Sequence, residues 1–583
     1  MAGAAAPGPV SAASCADLLL TFDAAPPARG DAWSEPGAGT LLSARAGAWP
    51  GYPCLRASDA HADACLLGEL YGERDPAAAA LAVARGDRPA ASLNGHWLLV
   101  AWRPGERRWH VWTDRFGTLH AYHAESAEGA ALGTCFRDVA RAASRRSLDL
   151  QAIAGFCALG FFPFERTHFT DVRIVPPAIH LVLDEAGRAR SQERTWHWRH
   201  EPDNGRSYDG AVAEFGERFE AVMQELLSDA RVAVPISGGL DSRCTVAAVR
   251  EPSDNLWAYS YGYTPQSVET RIARSVAEAR RLRFEAFTIE PYLFDRLEEV
   301  LASVEGFQDV TQCRQAAVTA ALARNADRVI AAHWGDVWLD DMGLAGRRGL
   351  PEIAVAEHAL HKMEKPGGEW LASRLRCADH GREWLLEGLR QRLRGLEHIE
   401  DPDFRVKALK TDLWSFRWTL ASVRMYMPGA FPRLPFYDTR LADLFSTVPT
   451  EETAGRRLQI DYLRRAAPDL ARIEWQATGA DLYGAGRTAS RSLPARAARR
   501  ALRALTGRPA IQRNWEVQFL SEPGRALLRH HLLRPGLRIH DLFPRAEIAA
   551  LVERLRAGRR DGSDGYAASM LLTLSAWLER HAV

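Results

Sequence analysis

VAVPISGGLDSRCTVA, residues 232–247, is the stretch whose reading decides the fold. Val232, Val234 and Ile236 form a short apolar run, Ser237-Gly238-Gly239-Leu240-Asp241-Ser242 break it, and a helix-compatible segment follows. The pattern predicts a buried strand, a tight turn and a helix. Two adjacent glycines allow backbone conformations that a Cβ would forbid, so successive N–H groups can converge on phosphate oxygens at the positive end of a helix dipole. Ser237 and Ser242 can add hydroxyl donors, and Asp241 can cap the helix or help hold a metal.

The turn has no Gly-Lys-Ser/Thr ending, so it is not the Walker type. SGGLDS resembles the pyrophosphate loop of ATP-pyrophosphatases, enzymes that split ATP between the α- and β-phosphates and transfer AMP to an oxygen of their substrate. That resemblance implies an ATP site at Ser237, Gly238, Gly239, Leu240, Asp241 and Ser242. A turn that only packs a strand on a helix is the alternative.

At 583 residues the chain is too long for one ordinary core, so two or more domains are expected. Its formal charge is +1, which implies no general attraction to polyanions. Only four of its 74 basic residues are lysine (Lys362, Lys365, Lys407 and Lys410), which reads as compositional bias together with the alanine excess. Eight scattered cysteines show no CxxC and no zinc spacing, so free thiols in a reducing cytoplasm are expected. No basic-then-apolar leader and no run of about 18 apolar residues occurs, and neither secretion nor a membrane span is expected.

From Ser207 onward, amphipathic helices alternate with short apolar strands, the pattern of a doubly wound αβ domain. A strand over Leu256–Tyr261 followed by a helix from Ser267 to Arg280 places Ser260, Tyr261 and Gly262 at a strand's carboxyl end, near an adenine or ribose. The apolar run Val329–Ala332 then delivers His333-Trp334-Gly335-Asp336-Val337-Trp338-Leu339-Asp340-Asp341 to the same edge. Asp336 and Asp340 are candidates for metal or substrate duty, Asp241 and Asp336 being the proposed magnesium ligands, because Mg²⁺ favours one or two carboxylates plus phosphate oxygens. Acidic helix caps are the alternative.

The part before His200 reads as β-rich, with a hairpin across Arg103-Pro104-Gly105-Glu106. Within it, Leu93-Asn94-Gly95-His96-Trp97 and Thr113-Asp114-Arg115-Phe116-Gly117 resemble the glutamine amidotransferase domain of asparagine synthetases. Leu159–Phe162 and Val175–Pro177 resemble the junction between that family's two domains, and the acidic segment 333–341 stands where the family carries G-E-G-x-D-E. The resemblance implies a sandwich-type amidotransferase-like domain at 15–200 and an ATP-pyrophosphatase domain at 207–583 with a helical C-terminal extension. It also implies glutamine-site roles for Asn94, Gly95 and Asp114. The family nucleophile is an N-terminal cysteine acting with its own α-amine. Here position 2 is Ala2, and Cys15 would need a propeptide to be removed; an ordinary small residue before a strand is the preferred reading of Cys15.

Phe431–Asp438 resembles the family's acceptor-pocket wall, where Arg424 and Arg433 could grip a carboxylate. Residues 464–479 correspond to the region of the family's catalytic lysine, but no lysine follows Lys410; Arg472 is the nearest cationic substitute. Gly484–Asn514 is basic without the aromatic interleaving of a nucleic-acid site. Residues 515–583 read as closing helices.

Together these features imply an asparagine synthase-like, AMP-forming carbon–nitrogen ligase using ATP and Mg²⁺. Its substrates would be a small-molecule or peptide carboxylate and ammonia, glutamine or another amine. No nucleic-acid or membrane partner is expected, and the oligomeric state, a homodimer included, is open. Lasso-peptide cyclases and β-lactam synthetases, which form an amide within one substrate, are the second reading. A non-catalytic ATP-binding scaffold is a third.

Overall fold

The computed structural model describes residues 13–15, 17–22, 31–35, 38–43, 51–127, 129–142, 147–376, 381–484, 513–557 and 562–581. The Gly484–Asn514 basic stretch falls almost wholly outside them.

Two antiparallel sheets build the first part. One has seven strands in the spatial order 13–15, 52–58, 63–71, 94–103, 108–113, 179–183 and 189–194. The other has six, ordered 172–174, 122–125, 130–133, 17–21, 38–43 and 31–35. Side-chain alternation along strands divides the packing. Leu18, Leu20 and Leu132 of the second sheet face Leu98, Val100, Trp109, Val111 and Leu181 of the first in one core. The outer face of the seven-stranded sheet, through Leu66, Trp97 and Leu99, is covered by the Pro76–Arg85 helix. Leu19, Tyr122 and Ala124 point the other way and join a core that continues through Phe136 and Phe307 to Trp577. The expected hairpin joins Asn94–Arg103 to Arg108–Thr113, with Arg103 opposite Arg108.

The second part is organised by a five-stranded, all-parallel sheet ordered 283–288, 256–262, 232–235, 328–330 and 431–433. In chain order this is 3-2-1-4-5, so the connections reverse direction between Val232–Pro235 and Arg328–Ile330. A crevice opens at the carboxyl ends of strands at such a switch point. The mixed α/β architecture read from the sequence is therefore the one observed. The Tyr208–Leu226 helix, capped by Ser207 accepting from Gly210, buries Phe215, Phe219 and Met223 at helical spacing. Val268–Ala279 begins at Ser267 in the same way. The Gly562–His581 helix is buried around most of its circumference. No helix among the described residues is long and apolar enough to cross a membrane.

The chain before the fifth parallel strand departs from ordinary α-helical form. Thr411–Thr419 is a nine-residue π-helix, followed by a short α-turn at Leu420–Val423. π-Helices are rare and are frequent at functional sites.

Candidate functional site

The switch-point crevice holds a cavity of about 300 Å³, lined by Ser237, Gly239, Leu240, Asp241 and Ser242 from the glycine turn and by Tyr259, Ser260 and Tyr261 from the next strand. This volume lies at the small end of the range usual for small-molecule sites. The turn is held by its own hydroxyls: Ser237 N–H donates to Ser242 Oγ at 3.0 Å, and Gly239 N–H to Ser237 Oγ at 3.2 Å. The two glycines differ in role. A Cβ at Gly238 would come within 2.3 Å of Gln476 Oε1 and 2.7 Å of its Cβ, and Gly238 O accepts from Gln476 N–H at 3.2 Å. Gly238 thus admits the 475–479 turn, while Gly239 lines the cavity. Gly262 ends its strand where a Cβ would strike Ser267 Oγ at 2.3 Å, so it serves the strand–helix packing and is not among the lining residues.

Asp241 opens the helix Asp241–Ala247. Its Oδ1 accepts from Gln459 Nε2 at 3.0 Å and also meets the Arg456 guanidinium. Burial raises its pKa, Arg456 opposes that, and the nearby charge of Asp336 raises it further. The reason for this proximity is Gly335: a Cβ there would lie 2.8 Å from the Asp241 carboxyl. Asp336 stands in the first turn of the short helix Gly335–Trp338, and Trp334 before it has a left-handed φ of 78°. Such a backbone costs about 1–3 kcal/mol for a non-glycine residue and persists only where packing imposes it. Here the indole is buried, and its N–H donates to Thr411 Oγ1 at 3.0 Å.

The acidic segment is divided by the fold. The charge of Asp336 reaches Asp241, whereas Asp340 Oδ1 accepts from Asp341 N–H at 2.9 Å and Gly455 N–H at 2.8 Å. Asp340 therefore braces the turn that presents Arg456. Among the described residues no cluster of three or more His, Cys, Asp or Glu could hold a metal by itself. Asp241 and Asp336 nevertheless suit a magnesium–phosphate group: two carboxylates from different elements, whose mutual repulsion a cation would relieve, with the remaining ligands left to phosphate and water.

Arg472, the expected substitute cation, does not approach the cavity. Buried Arg243 donates to the carbonyls of Leu470, Ile473 and Glu474 at 3.2, 2.8 and 2.7 Å, fixing that backbone, and Arg472 is exposed over the Tyr483 ring. The cation at Asp241 is Arg456, in left-handed conformation with φ 61°. The cavity is also lined by His333, from the segment the sequence delivers to this edge, by Glu269 at the start of the helix after the second strand, and by Arg314, Gln315 and Tyr426, which no local pattern marked. Arg314 stacks on Tyr261, and the Glu269 carboxyl is raised by burial and lowered by Arg314.

In the first part, the glutamine-site candidates have structural partners. Asn94 Nδ2 donates to Asp438 at 2.9 Å, and Asn94 Oδ1 accepts from Thr439 N–H at 2.9 Å. Gly95, φ 134°, lies against Glu69 O, which a Cβ would approach to 2.1 Å. Asp114 is fully buried and accepts from the N–H groups of Trp97, Phe116 and Thr118 at 3.2, 2.8 and 3.0 Å, and from the Thr118 hydroxyl. Burial still raises its pKa to about 6 against those bonds. The Cys15 backbone pairs opposite Tyr52, and its side chain is outside the described residues.

Arg424 and Arg433 do grip carboxylates, but those of the protein itself. Arg424 pairs with Glu305 at 2.8 Å in the core, and Arg433 pairs with Glu69 at 2.8 Å, joining the parallel sheet to the seven-stranded one.

Fold and site define a mixed α/β protein with a strand–glycine turn–helix unit lining a cavity at the switch point of a parallel sheet. Residues 218–333 match the family model described as asparagine synthase, a span that contains the glycine turn and ends at His333. Comparison with curated proteins gives no match. Among solved structures the chain is similar to a glutamine phosphoribosylpyrophosphate amidotransferase from B. subtilis complexed with ADP and GMP. The identity is 11%, covering 47% of this chain and 60% of that one, with a TM-score of 0.17, too low to carry a structural argument.

Proposed function

We propose that the protein is an ATP-dependent carbon–nitrogen ligase that activates a carboxylate as its adenylate, releasing pyrophosphate, and then joins it to an amine. The observation that carries this reading is Asp241, which lines the glycine-turn cavity at a sheet switch point and lies so close to Gly335 that a Cβ there would meet its carboxyl, with the charge of the next residue, Asp336, reaching it. The asparagine synthase match over the same elements supports it. Asp241 and Asp336 would hold magnesium, which supplies positive charge at the phosphates. The turn's N–H groups and the Ser237 and Ser242 hydroxyls would orient the phosphate chain, and Arg456 would keep Asp241 ionised. Ser260 and Tyr261 would face the nucleoside. The gain in rate would come from alignment of the two reactants and neutralisation of the departing charge.

The amine need not come from glutamine. The engagement of Asn94 with Asp438 and Thr439 favours a first part that braces the synthetase half, and hence a free amine or one internal to the substrate, as in the lasso-peptide cyclase and β-lactam synthetase readings. The test is AMP and pyrophosphate release from Mg-ATP and aspartate with either glutamine or ammonium, using Asp241→Ala as control. Turnover with ammonium alone supports a bracing first part, and turnover with both restores a working glutaminase. If Mg-ATP neither binds nor turns over, the ligase reading fails.

A further inference from the structure

The four lysines are not scattered. All lie between residues 362 and 410, in a chain whose other 70 basic residues are arginine. Lys407 is buried beside Asp403 at 3.9 Å and donates to Thr453 Oγ1 at 3.1 Å. The Lys365 and Lys410 ammonium groups share one tryptophan. Lys365 Nζ lies 4.2 Å from the Trp414 ring centroid and 4.9 Å from that of Trp418; Lys410 Nζ lies 4.8 Å from Trp414 and 5.8 Å from Trp334. Lys410 closes the Pro402–Lys410 helix, and Trp414 and Trp418 follow it four and eight residues on in the π-helix, a spacing that places the three on one side.

This face adjoins the cradle. Trp334, under Lys410, follows the cavity-lining His333, and the charge of Asp336 reaches Lys410. Among the described residues neither Lys365 nor Lys410 has a carboxylate in ion-pair distance, and the polar contact of Lys410 is the weak acceptor Met342 Sδ at 3.8 Å. Both side chains are half-buried. Two ammonium groups with no carboxylate at ion-pair distance among the described residues, partly stripped of water by indole faces, attract an anion, although the charges of Asp336 and Asp309 reach Lys410 and Lys365 from farther off.

We propose that Lys365 and Lys410 form the seat of the acceptor's reacting carboxylate, with Trp414 and Trp418 as the apolar floor beneath the group that carries it. The proposal rests on the ligase reading. In that reaction one carboxylate oxygen bonds to the α-phosphorus while the bond from that phosphorus to the bridging oxygen of the β-phosphate breaks, and pyrophosphate leaves with the electron pair. The lysines make and break no bond. An arginine fork would engage both carboxylate oxygens; an ammonium is a point charge that leaves one free to attack. That difference gives lysine a purpose in a chain that elsewhere uses arginine.

With only four lysines, amine acetylation read by peptide mass spectrometry reports each one separately. The full chain is labelled without nucleotide, alone and with two matched pairs of probes: N-acetyl-aspartyl amide against N-acetyl-asparaginyl amide, and N-acetylglycine against N-acetylglycinamide. At least one carboxylate probe is expected to protect Lys365 and Lys410 about tenfold, the scale of a charge-assisted hydrogen bond, while its neutral partner does not and exposed Lys362 labels equally throughout. The proposal is overturned if both lysines are inert in the free protein, if neither carboxylate protects, or if the neutral partners protect as well. Retained protection in a protein that neither binds nor hydrolyses Mg-ATP would keep the anion seat and sink the ligase reading; ATP turnover without protection would do the reverse. Lys410→Arg, which keeps the charge, is expected to retain carboxylate protection at Lys365 while slowing adenylate formation more than it weakens carboxylate binding. Equal loss of both overturns the point-charge argument.

Discussion

Replacing Gly335 by alanine tests the geometry of the site most directly. The added methyl would lie 2.7 Å from the Phe436 ring and 2.8 Å from the Asp241 carboxyl, well inside ordinary contact, so something must move. Phe436 is fully buried and stacks on Phe219, which leaves it little freedom. Asp241, held at Oδ1 by Arg456 and Gln459, is the softer partner and is expected to yield. Two energies compete. Exchanging glycine for alanine within a helix gains at most about 1 kcal/mol. Overpacking a well-filled site costs roughly 1–3 kcal/mol. The substitution should therefore lower stability modestly, by about 1–2 kcal/mol, and weaken Mg-ATP binding at least tenfold, because a displaced carboxylate no longer meets a metal that Asp336 also holds. Chemical denaturation and calorimetric titration of Mg-ATP read the two effects. Gly105→Ala, in a turn with open space, is the control and should change neither. Unchanged nucleotide affinity in Gly335→Ala would refute the proposal that Asp241 and Asp336 together form the metal–phosphate site.

Three further expectations follow from the same contacts. Arg456→Met should weaken Mg-ATP binding about tenfold by removing a charge-assisted contact to Asp241, whereas exposed Arg472→Met should leave it unchanged; the reverse order in the same titration would restore Arg472 as the site cation. Glu69→Gln leaves Arg433 and Arg328 without their shared carboxylate and should cost about 3–5 kcal/mol in denaturant unfolding, and a loss below 1 kcal/mol would show the pair to be marginal. His96, 1% exposed and accepting from Leu434 N–H at 2.9 Å, is held by burial to a pKa of about 4 against an ordinary 6.5. Between those values the folded state binds fewer protons than the unfolded one. Its contribution is thus complete above about pH 6.5 and is lost as the pH falls toward 4, by roughly 3 kcal/mol at about 1.4 kcal/mol per pH unit. His96→Gln should flatten the acid limb of the stability profile by that amount, and an unaltered slope would exclude His96 as its source.

The SGGLDS turn, the strand ending in Ser260 and Tyr261, and the apolar run leading to Asp336 each combine periodicity with glycine and capping chemistry inside a few residues, so sequence by itself determined the parallel-sheet domain and the edge to which these residues are delivered. Partnership was not legible. Asn94 and Asp114 have the surroundings of a glutamine site in the linear chain, yet the amide of Asn94 is claimed by Asp438 and Thr439, more than 340 residues away. Arg424 and Arg433 were legible as carboxylate ligands, but nothing local named Glu305 and Glu69 as the carboxylates. Arg472 was expected at the site because of its position in the chain; Arg243 anchors the backbone beneath it so that it faces outward, and Arg456 stands in the place. The lysines read as compositional bias, and only tertiary packing sets Lys365 and Lys410 against the one Trp414 indole. Backbone patterns are dictated by neighbours in sequence, whereas a charged side chain takes whichever opposite charge the packed core brings within reach, and only the tertiary structure decides that.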